Sequence, residues 1–392
     1  MQNNKEDLSV SNQLRAIRTR LGLSQQEAAN RAGVTRQTIG GLESGQYSPS
    51  AAVALRLARA LNCRVEDLFW LKDDSPTLPV LPSERLTACR PVPPHDTRVA
   101  VARVGSRYIA HPLIGDRAFT EQLQPADGIL EAGSDPRKDA LLTMRLFGTT
   151  DRLEKTVAVA GCAPALTLWA RSAEQWFPGL RVLSLPANSG DALGALLRGE
   201  VHIAGTHLQD SQTGESNVPF VRAAFKGDTE SGGVVLIQLG VWEEGLVTAP
   251  GNPRGILHAE DLVEREDCRI VNRESGSGAR RLLEGFLAGS GIPTSRVSGF
   301  GNEVHSHSAV ARAVATGAAD AGVTTSGMAA IFGLEFIPLQ TTRYDLAVRR
   351  EYLELEPVRQ LLSTLDHRWI RSQLRLIGGM DTQGTGETMA EL

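Results

Sequence analysis

Apolar residues recur at helical spacing near the start of the chain. Leu14, Ile17 and Leu21 fall on one helical face, and Gly22 ends that segment. Ser24 with Glu27 three residues on has the form of a capping box and predicts a second helix start. Ala28, Ala29 and Ala32 give that helix a small-residue face suited to close approach, and Gly33 breaks it. Thr35 caps a third helix over residues 36–44, with Ile39 and Leu42 turned inward and Gly45 and Pro49 beyond its end. A fourth helix over 50–61 points Val53, Leu57, Ala58 and Leu61 to the core, and a short fifth covers 65–69.

The pattern then changes. Residues 73–97 carry six prolines and little periodicity, which predicts an extended connector. Over 98–131, Val99, Val101, Val104 and Ile109 stand in strand-like context around a Gly105-Ser106 turn, so a small β element is expected. Residues 134–156 read as a polar crossover with one short helix. From Thr156 apolar runs alternate with helical stretches: a run over 156–163, a helix over 164–177, a strand over 181–187, the turn Asn188-Ser189-Gly190, a helix over 191–198 and a strand over 201–208. A second half repeats the scheme: a strand ending near Asn272, a Gly/Ser loop, a helix over 279–288, a helix beginning at His307 or Ser308, the strand of residues 321–325, and strands over 334–340 and 344–348. Alternation of this kind implies βαβ units and a mostly parallel sheet. Small and polar residues follow the strands, where ligands bind in open α/β sheets: Gly161-Cys162-Ala163, Asn188-Ser189 and Thr206-His207.

Two short helices joined by a Gly-containing turn form a helix-turn-helix. The stretch 23–69 resembles the Cro/lambda-repressor-like domain of XRE-type regulators, through Ser24-Gln25-x-Glu27-Ala28-Ala29, Gly33-Val34, Ile39, Leu42-Glu43-x-Gly45, Pro49 and Asp67-Leu68-Phe69. It departs at Gly40-Gly41, where the family carries bulkier residues; two glycines in a helix cost about 1 kcal/mol each relative to alanine. The resemblance implies that the third helix enters the major groove of an operator in double-stranded DNA and that the protein works as a homodimer on a pseudo-palindrome. Arg36, Gln37 and Thr38 are then the residues at the bases, Arg suiting guanine and Gln adenine, with the cap residue Thr35 also among the DNA-binding residues. Gln25 with Arg15 or Arg18 would contact phosphate. A protein-interaction module with a solvated charged face is the plainer alternative.

The body resembles the type II periplasmic-binding-protein fold, and more closely the DNA-binding-protein-fused domain related to molybdate- and tungstate-binding proteins. The carrying residues are Ala160-Gly161-Cys162-x-Pro164-Ala165, Ala204-Gly205-x-His207-Leu208, Asn272-Arg273-x-x-Gly276-Ser277-Gly278-x-Arg280, Val310-Ala311-x-Ala313-Val314-x-x-Gly317-x-Ala319-Asp320-Ala321-Gly322 and Leu334-x-Phe336-Ile337-Pro338-Leu339. The fold expected is therefore multidomain: an all-α helix-turn-helix head over 1–72, a Pro-rich linker over 73–97, a β-containing connector over 98–150, a two-lobed α/β periplasmic-binding-protein-like domain over 151–380, and a tail over 381–392. The resemblance implies a bound small anion, of the molybdate or tungstate kind. Gly161, Cys162, Ala163, Asn188, Ser189, Thr206, His207, Arg273, Ser275, Gly276, Ser277, Arg280, Ser306 and His307 are the candidate ligand-binding residues. The loop at 272–278 puts backbone N–H groups at a helix N-terminus, which suits an anion, and Arg273 and Arg280 add charge. It is neither a Walker A loop nor a dinucleotide fingerprint. A pterin or nucleotide could use the same loop with its arginines as forks, and the loop could also be only a tight turn.

Composition sharpens this reading at three points. The 392 residues exceed what one core usually holds, and 41% hydrophobic with 22% charged residues excludes wholesale disorder. Residues 1–72 hold 10 Lys/Arg against 6 Asp/Glu and the remainder 31 against 39, so a basic head sits on an acidic body and only the head suits a polyanion. No apolar run spans a membrane, and residues 1–20 lack a signal-peptide core, so the cytoplasm is expected. The four cysteines, Cys63, Cys89, Cys162 and Cys268, are scattered, so no disulfide framework is indicated. His305 and His307, with His202 and His207, could hold zinc or nickel, but their spacing fixes no partner, and no metal is expected. Cys162 in its AGCAP context reads as a packed small residue rather than a nucleophile or redox sensor. His111 beside Pro112 reads as structural. No triad or P-loop is apparent, and of the carboxylates only Glu303 and Asp320 are candidates for an acid/base pair, so an enzyme is not expected; a molybdenum-cofactor-related protein acting on a pterin or nucleotide is the alternative to a regulator.

Overall fold

The computed structural model describes residues 10–71, 76–88, 97–114, 125–131, 135–210, 213–228, 232–265, 267–376 and 379–392. Within the expected linker, residues 73–75 and 89–96, with Cys89, Pro91, Pro93 and Pro94, lie outside the described residues. The chain divides into two compact units, residues 1–78 with 144–148, and the rest. Among the described residues no helix is long and apolar enough to cross a membrane.

In the first unit, helices α1 (Leu14–Arg20), α2 (Gln25–Ala32), α3 (Arg36–Glu43), α4 (Ala51–Ala60) and α5 (Val65–Leu68) enclose a core of Leu14, Ile17, Ala28, Ala29, Ile39, Leu42, Leu57 and Leu68. The caps explain why the helices start where they do. Ser24 Oγ accepts from Glu27 N while Glu27 Oε2 accepts from Ser24 N, and Thr35 and Ser50 each accept from the amide three residues on. Gly33, at φ 64°, closes α2 in a left-handed turn that other residues adopt at a cost. A two-strand ribbon, β1 (Val10–Asn12) with β2 (Phe69–Leu71), ties the two ends of the head together.

The stretch expected as linker and connector is built into ordered structure: β3 (Thr77–Pro82), α6 (Glu84–Thr87), β4 (Arg98–Val104), β5 (Arg107–Pro112), β6 (Gly128–Leu130) and β7 (Leu142–Leu146). β3 pairs parallel with β5 through Leu81 and Pro82, opposite Ile109 and Ala110. β4 pairs antiparallel with both β5 and β6. Buried polar bonds hold this element to the body. Arg181 makes a two-pronged ion pair with Asp127, at 2.5 and 2.6 Å. His202 Nδ1 accepts from Ala158 N at 3.0 Å, and its Nε2 lies 3.0 Å from Arg103 O. His111 is buried at 2% exposure, and burial with the charge of Arg85 lowers its pKa to about 3.

The body contains α7 (Asp151–Glu154), β8 (Thr156–Gly161), α8 (Pro164–Trp176), β9 (Arg181–Pro186), α9 (Ser189–Leu197), β10 (Ile203–Thr206), α10 (Val218–Ala224), β11 (Val234–Thr248), α11 (Asp261–Glu264), β12 (Ile270–Arg273), α12 (Gly278–Gly289), β13 (Glu303–Val304), α13 (His307–Ala315), β14 (Ala321–Thr325), α14 (Ser326–Phe332), β15 (Glu335–Arg349), α15 (Glu356–Ser363), α16 (Arg368–Leu376) and β16 (Thr388–Glu391). Its sheet has the order β13-β12-β14-β11-β15-β10-β8-β9. Each end is a parallel trio, as the βαβ reading expects. The centre differs: β11 and β15 are antiparallel to each other along their length, and to β14 and β10, so the sheet is mixed. The two segments read as separate strands over 334–340 and 344–348 are one continuous strand, β15. These two 15-residue strands run through both lobes, and their pairing slips between Gln238 and Gly240 and between Glu244 and Gly245. Such irregularities bend a strand locally, so the crossing between lobes is also where the sheet is least regular. The end of the chain, expected as a tail, adds β16 to the sheet beside β11, where the amides and carbonyls of β11 would otherwise lack partners. One core, with Trp169, Leu183, Leu193, Leu236 and Leu346, fills the first lobe; two smaller ones, around Leu283 and around Val310, cover the two faces of the second.

Candidate functional site

The first turn of α3 is open to solvent. Arg36 and Gln37 are solvent-exposed in its first turn, and Thr35 fixes the turn by accepting from Thr38 N at 3.0 Å. The side chain of Thr38 is held by Thr35 Oγ1 at 2.8 Å. Arg15 is exposed, but Arg18 and Gln25 are committed elsewhere: Arg18 donates to Glu43 at 2.5 and 3.1 Å and to Leu23 O at 2.6 Å, and Gln25 Nε2 donates to Glu43 Oε2 at 2.8 Å. These two side chains, expected on phosphate, instead clamp α1 and α2 to α3. Burial pushes the Glu43 carboxyl up, but the bonds from Arg18 and Gln25 and the charge of Arg18 outweigh it and hold the pKa below its usual range. Gly41 also has a physical reason: a Cβ there would collide with the ring of Tyr47, whose hydroxyl donates to Thr38 O at 3.2 Å.

In the body, residues from both lobes and from the crossing strands meet at the carboxyl ends of β8, β10 and β12. Cys162 lies between β8 and α8, His207 follows β10, Trp242 and Glu244 stand on β11, Tyr344 on β15, Arg273 ends β12, and His307 opens α13. Cys162 Sγ is 3.1 Å from His207 Nε2, and His207 Nδ1 is 3.3 Å from Glu244 Oε2. His207 stacks on Tyr344 at 5.6 Å and meets Trp242 edge-on at 5.4 Å; His307 lies 5.6 Å from His207 and 5.7 Å from Trp242. Thr324 Oγ1 donates to His307 O at 3.0 Å and lies 3.4 Å from His307 Nδ1. Glycines permit this crowding. A Cβ on Gly205 would come within 2.7 Å of the Tyr344 ring, and one on Gly278 within 2.7 Å of the His207 ring.

Electrostatics within the cluster are uneven. Burial alone would lower the His207 pKa, but the charges of Cys162 and Glu244 raise it above its usual value. Burial, with the charges of Arg273 and His207, pushes His307 well below. Arg273, at 1% exposure, donates through Nε and Nη2 to Glu274 at 2.8 and 3.0 Å. Among the described residues its Nη1 has no hydrogen-bond partner, nor do Trp242 Nε1, Glu244 Oε1, His307 Nε2 and the Tyr344 hydroxyl, all buried. A buried polar atom left unmatched costs about 1–3 kcal/mol, so five in one cluster mark a place built for something other than stability.

Several of the expected ligand-binding residues have other work. Asn188 caps α9 and reaches across the lobes, its Nδ2 donating to Ser275 O at 3.3 Å; Gly190 N donates to Gly276 O at 3.4 Å. The loop at 272–278 therefore sits at the junction of the lobes, with Ser275 exposed at its tip. Ser189 Oγ accepts from His207 N at 3.2 Å, and Thr206 Oγ1 donates to Asn217 at 3.2 Å. Ser277 caps α12 and closes its own turn on Glu274 O. Ser306 caps α13. Gly161 and Ala163 border the cluster through backbone, and the Tyr344 hydroxyl lies against the Cys162 and Ala163 backbone. Arg280 points away, bonded to Glu284, Glu303 and Arg273 O and lying over the Phe300 ring. Glu303 and Asp320 do not form an acid/base pair, since Glu303 binds Arg280 and Asp320 binds Arg254 and Arg269 N. Sequence reasoning missed Trp242, Glu244, Tyr344 and Thr324. The apolar run of residues 234–237 was the signal that a strand passes here.

Comparison with known proteins agrees with this division. Residues 14–68 match the helix-turn-helix family HTH_3, and residues 170–366, half of the chain, match the PBP superfamily domain. YvgK of Bacillus subtilis is 34% identical over 197 residues, which is 50% of this chain and 61% of YvgK, so the chain spans less than two thirds of that relative. An HTH-type transcriptional regulator of Methanothermobacter thermautotrophicus is 55% identical over 62 residues, 16% of this chain and 90% of its own. Among solved structures, an ABC-type phosphate transport receptor from Vibrio cholerae is similar at TM-score 0.39 and 14% identity, over 58% of this chain and 99% of that one. With half its length matched by that domain and its head by a DNA-binding one, the chain belongs to the PBP superfamily and carries an XRE-type helix-turn-helix at its N-terminus.

Proposed function

We propose that the protein is a cytoplasmic one-component transcription regulator. The head binds a pseudo-palindromic operator as half of a homodimer, with Arg36 and Gln37 at the bases. A small ligand held between the lobes of the body changes operator affinity. The observation that carries this reading is the set of unmatched buried groups at the lobe junction, Arg273 Nη1, Trp242 Nε1, Glu244 Oε1 and His307 Nε2. Two of them, Arg273 Nη1 and Trp242 Nε1, are unmatched donors, which supports a ligand rich in acceptor oxygens, of the molybdate or tungstate kind. The irregular crossing strands are the natural hinge for lobe closure.

Linkage requires that DNA alter ligand affinity by the same factor as ligand alters DNA affinity. The test is to select an operator from random duplex DNA with the full-length protein and titrate it by fluorescence anisotropy, with and without molybdate or tungstate. A coupling of about 1–3 kcal/mol changes operator affinity by about 5- to 150-fold. Operator affinity that neither anion changes refutes the anion reading.

A further inference from the structure

The geometry points to a transition-metal site of the zinc class, formed by Cys162 Sγ and one ring nitrogen each of His207 and His307. This goes beyond the anion reading, though it lies in the same cluster. The three donor atoms lie within 4.8 Å of one another, and two of the three residues are buried. Donors bound to one tetrahedral zinc sit about 3.5 Å apart, given bond lengths of about 2.3 Å to sulfur and 2.0–2.1 Å to nitrogen. The Cys162–His207 distance of 3.1 Å already approaches that spacing, so the ion requires only a small adjustment of side chains.

Two further observations carry the inference. The first is orientation. His207 meets Cys162 through Nε2 while its Nδ1 faces the Glu244 carboxylate, and His307 has Nδ1 beside Thr324 Oγ1, leaving Nε2 buried without a partner. A carboxylate or hydroxyl behind each imidazole is how metal-binding histidines are commonly fixed. The second is charge. Arg273 and Glu274 neutralise each other, while Glu244 and a ligating thiolate contribute two negative charges, which a divalent ion balances. Sulfur and imidazole donors favour zinc-class ions over magnesium or calcium. Three protein ligands leave a coordination position open, and the anion of the regulator reading can fill it.

Co2+ is the probe. Reduced, chelator-treated full-length protein should take up one Co2+ per chain, with the visible bands of tetrahedral cobalt and a near-ultraviolet thiolate charge-transfer band, and Zn2+ should displace it. Cys162→Ser should abolish the charge-transfer band. His307→Gln should weaken Co2+ binding at least about 10-fold, and Glu244→Gln, which acts through His207, by about 10- to 100-fold. His305→Gln and Cys268→Ser should change nothing, and circular dichroism should show every variant folded. Absence of Co2+ uptake, uptake unchanged in Cys162→Ser and His307→Gln, or tungstate binding without any cobalt binding overturns the metal site. These measurements use no DNA, so they stand apart from the regulator reading. Operator affinity that is the same with and without bound Zn2+ would refute control by the metal and leave its site intact.

Discussion

Arg273 separates binding from folding most sharply. Its guanidinium is 1% exposed and makes two bonds to Glu274, whose side chain is 12% exposed. Replacing Arg273 by Met leaves that carboxylate with its own backbone amide and His305 Nδ1 at 4.0 Å among the described residues. Breaking a buried pair by removing one partner costs about 3–5 kcal/mol; the residual exposure of Glu274 brings the expectation to about 2–3 kcal/mol. That is a large share of a typical folding stability of about 5–15 kcal/mol. The double variant Arg273→Met/Glu274→Gln removes the stranded charge, and it also removes the unmatched Nη1, whose burial costs about 1–3 kcal/mol. Its stability should return to within about 1 kcal/mol of the parent, or exceed it. Urea unfolding followed by tryptophan fluorescence reads both, as midpoint shifts at constant slope. In the folded double variant, ligand-free operator affinity should be unchanged and its response to anion lost. A single variant as stable as the parent would show that the pair with Glu274 contributes little, and a double variant weaker than the single would show that Arg273 is needed for folding; either outcome refutes the reasoning.

Glu43→Gln should destabilise the head by about 2–3 kcal/mol, because it breaks a largely buried pair with Arg18, at 12% and 6% side-chain exposure. Since the folded pKa of Glu43 is lowered, the parent's advantage should be full above the unfolded value near 4.5 and fade as pH falls through the folded one, which thermal melts at several pH values would reveal. For His202 the neutral form is fixed between Ala158 N and Arg103 O, and burial lowers its pKa to about 4. The unfolded chain therefore binds that proton first, and the parent should lose about 3 kcal/mol between pH 6.5 and 4 that His202→Gln does not lose, as urea titrations would show. Arg36→Ala should cost about 1–3 kcal/mol at one base step of the operator; uniform weakening on all sequences would instead mean a phosphate contact.

The head was legible because its signals are local. Ser24 with Glu27, Thr35 and Gly33 each act within a few residues, and every one forms the cap or turn its sequence predicts. The paired lobes were legible for the same reason, since each βαβ unit is a short-range pattern. Arg18 and Arg280 could not be assigned from sequence, because exposed and paired arginines look alike until a partner such as Glu43 or Glu303 is brought up by the fold. The cluster itself was legible only in fragments: Cys162, His207, Arg273 and His307 stood out singly. Their convergence depends on β11 and β15, whose antiparallel pairing sets Trp242, Glu244 and Tyr344 between the lobes. Sequence determined the helices of the head, the βαβ units of the lobes and many of the residues that could bind. The tertiary structure alone decided which of them meet, because those contacts join distant segments and no local periodicity encodes them.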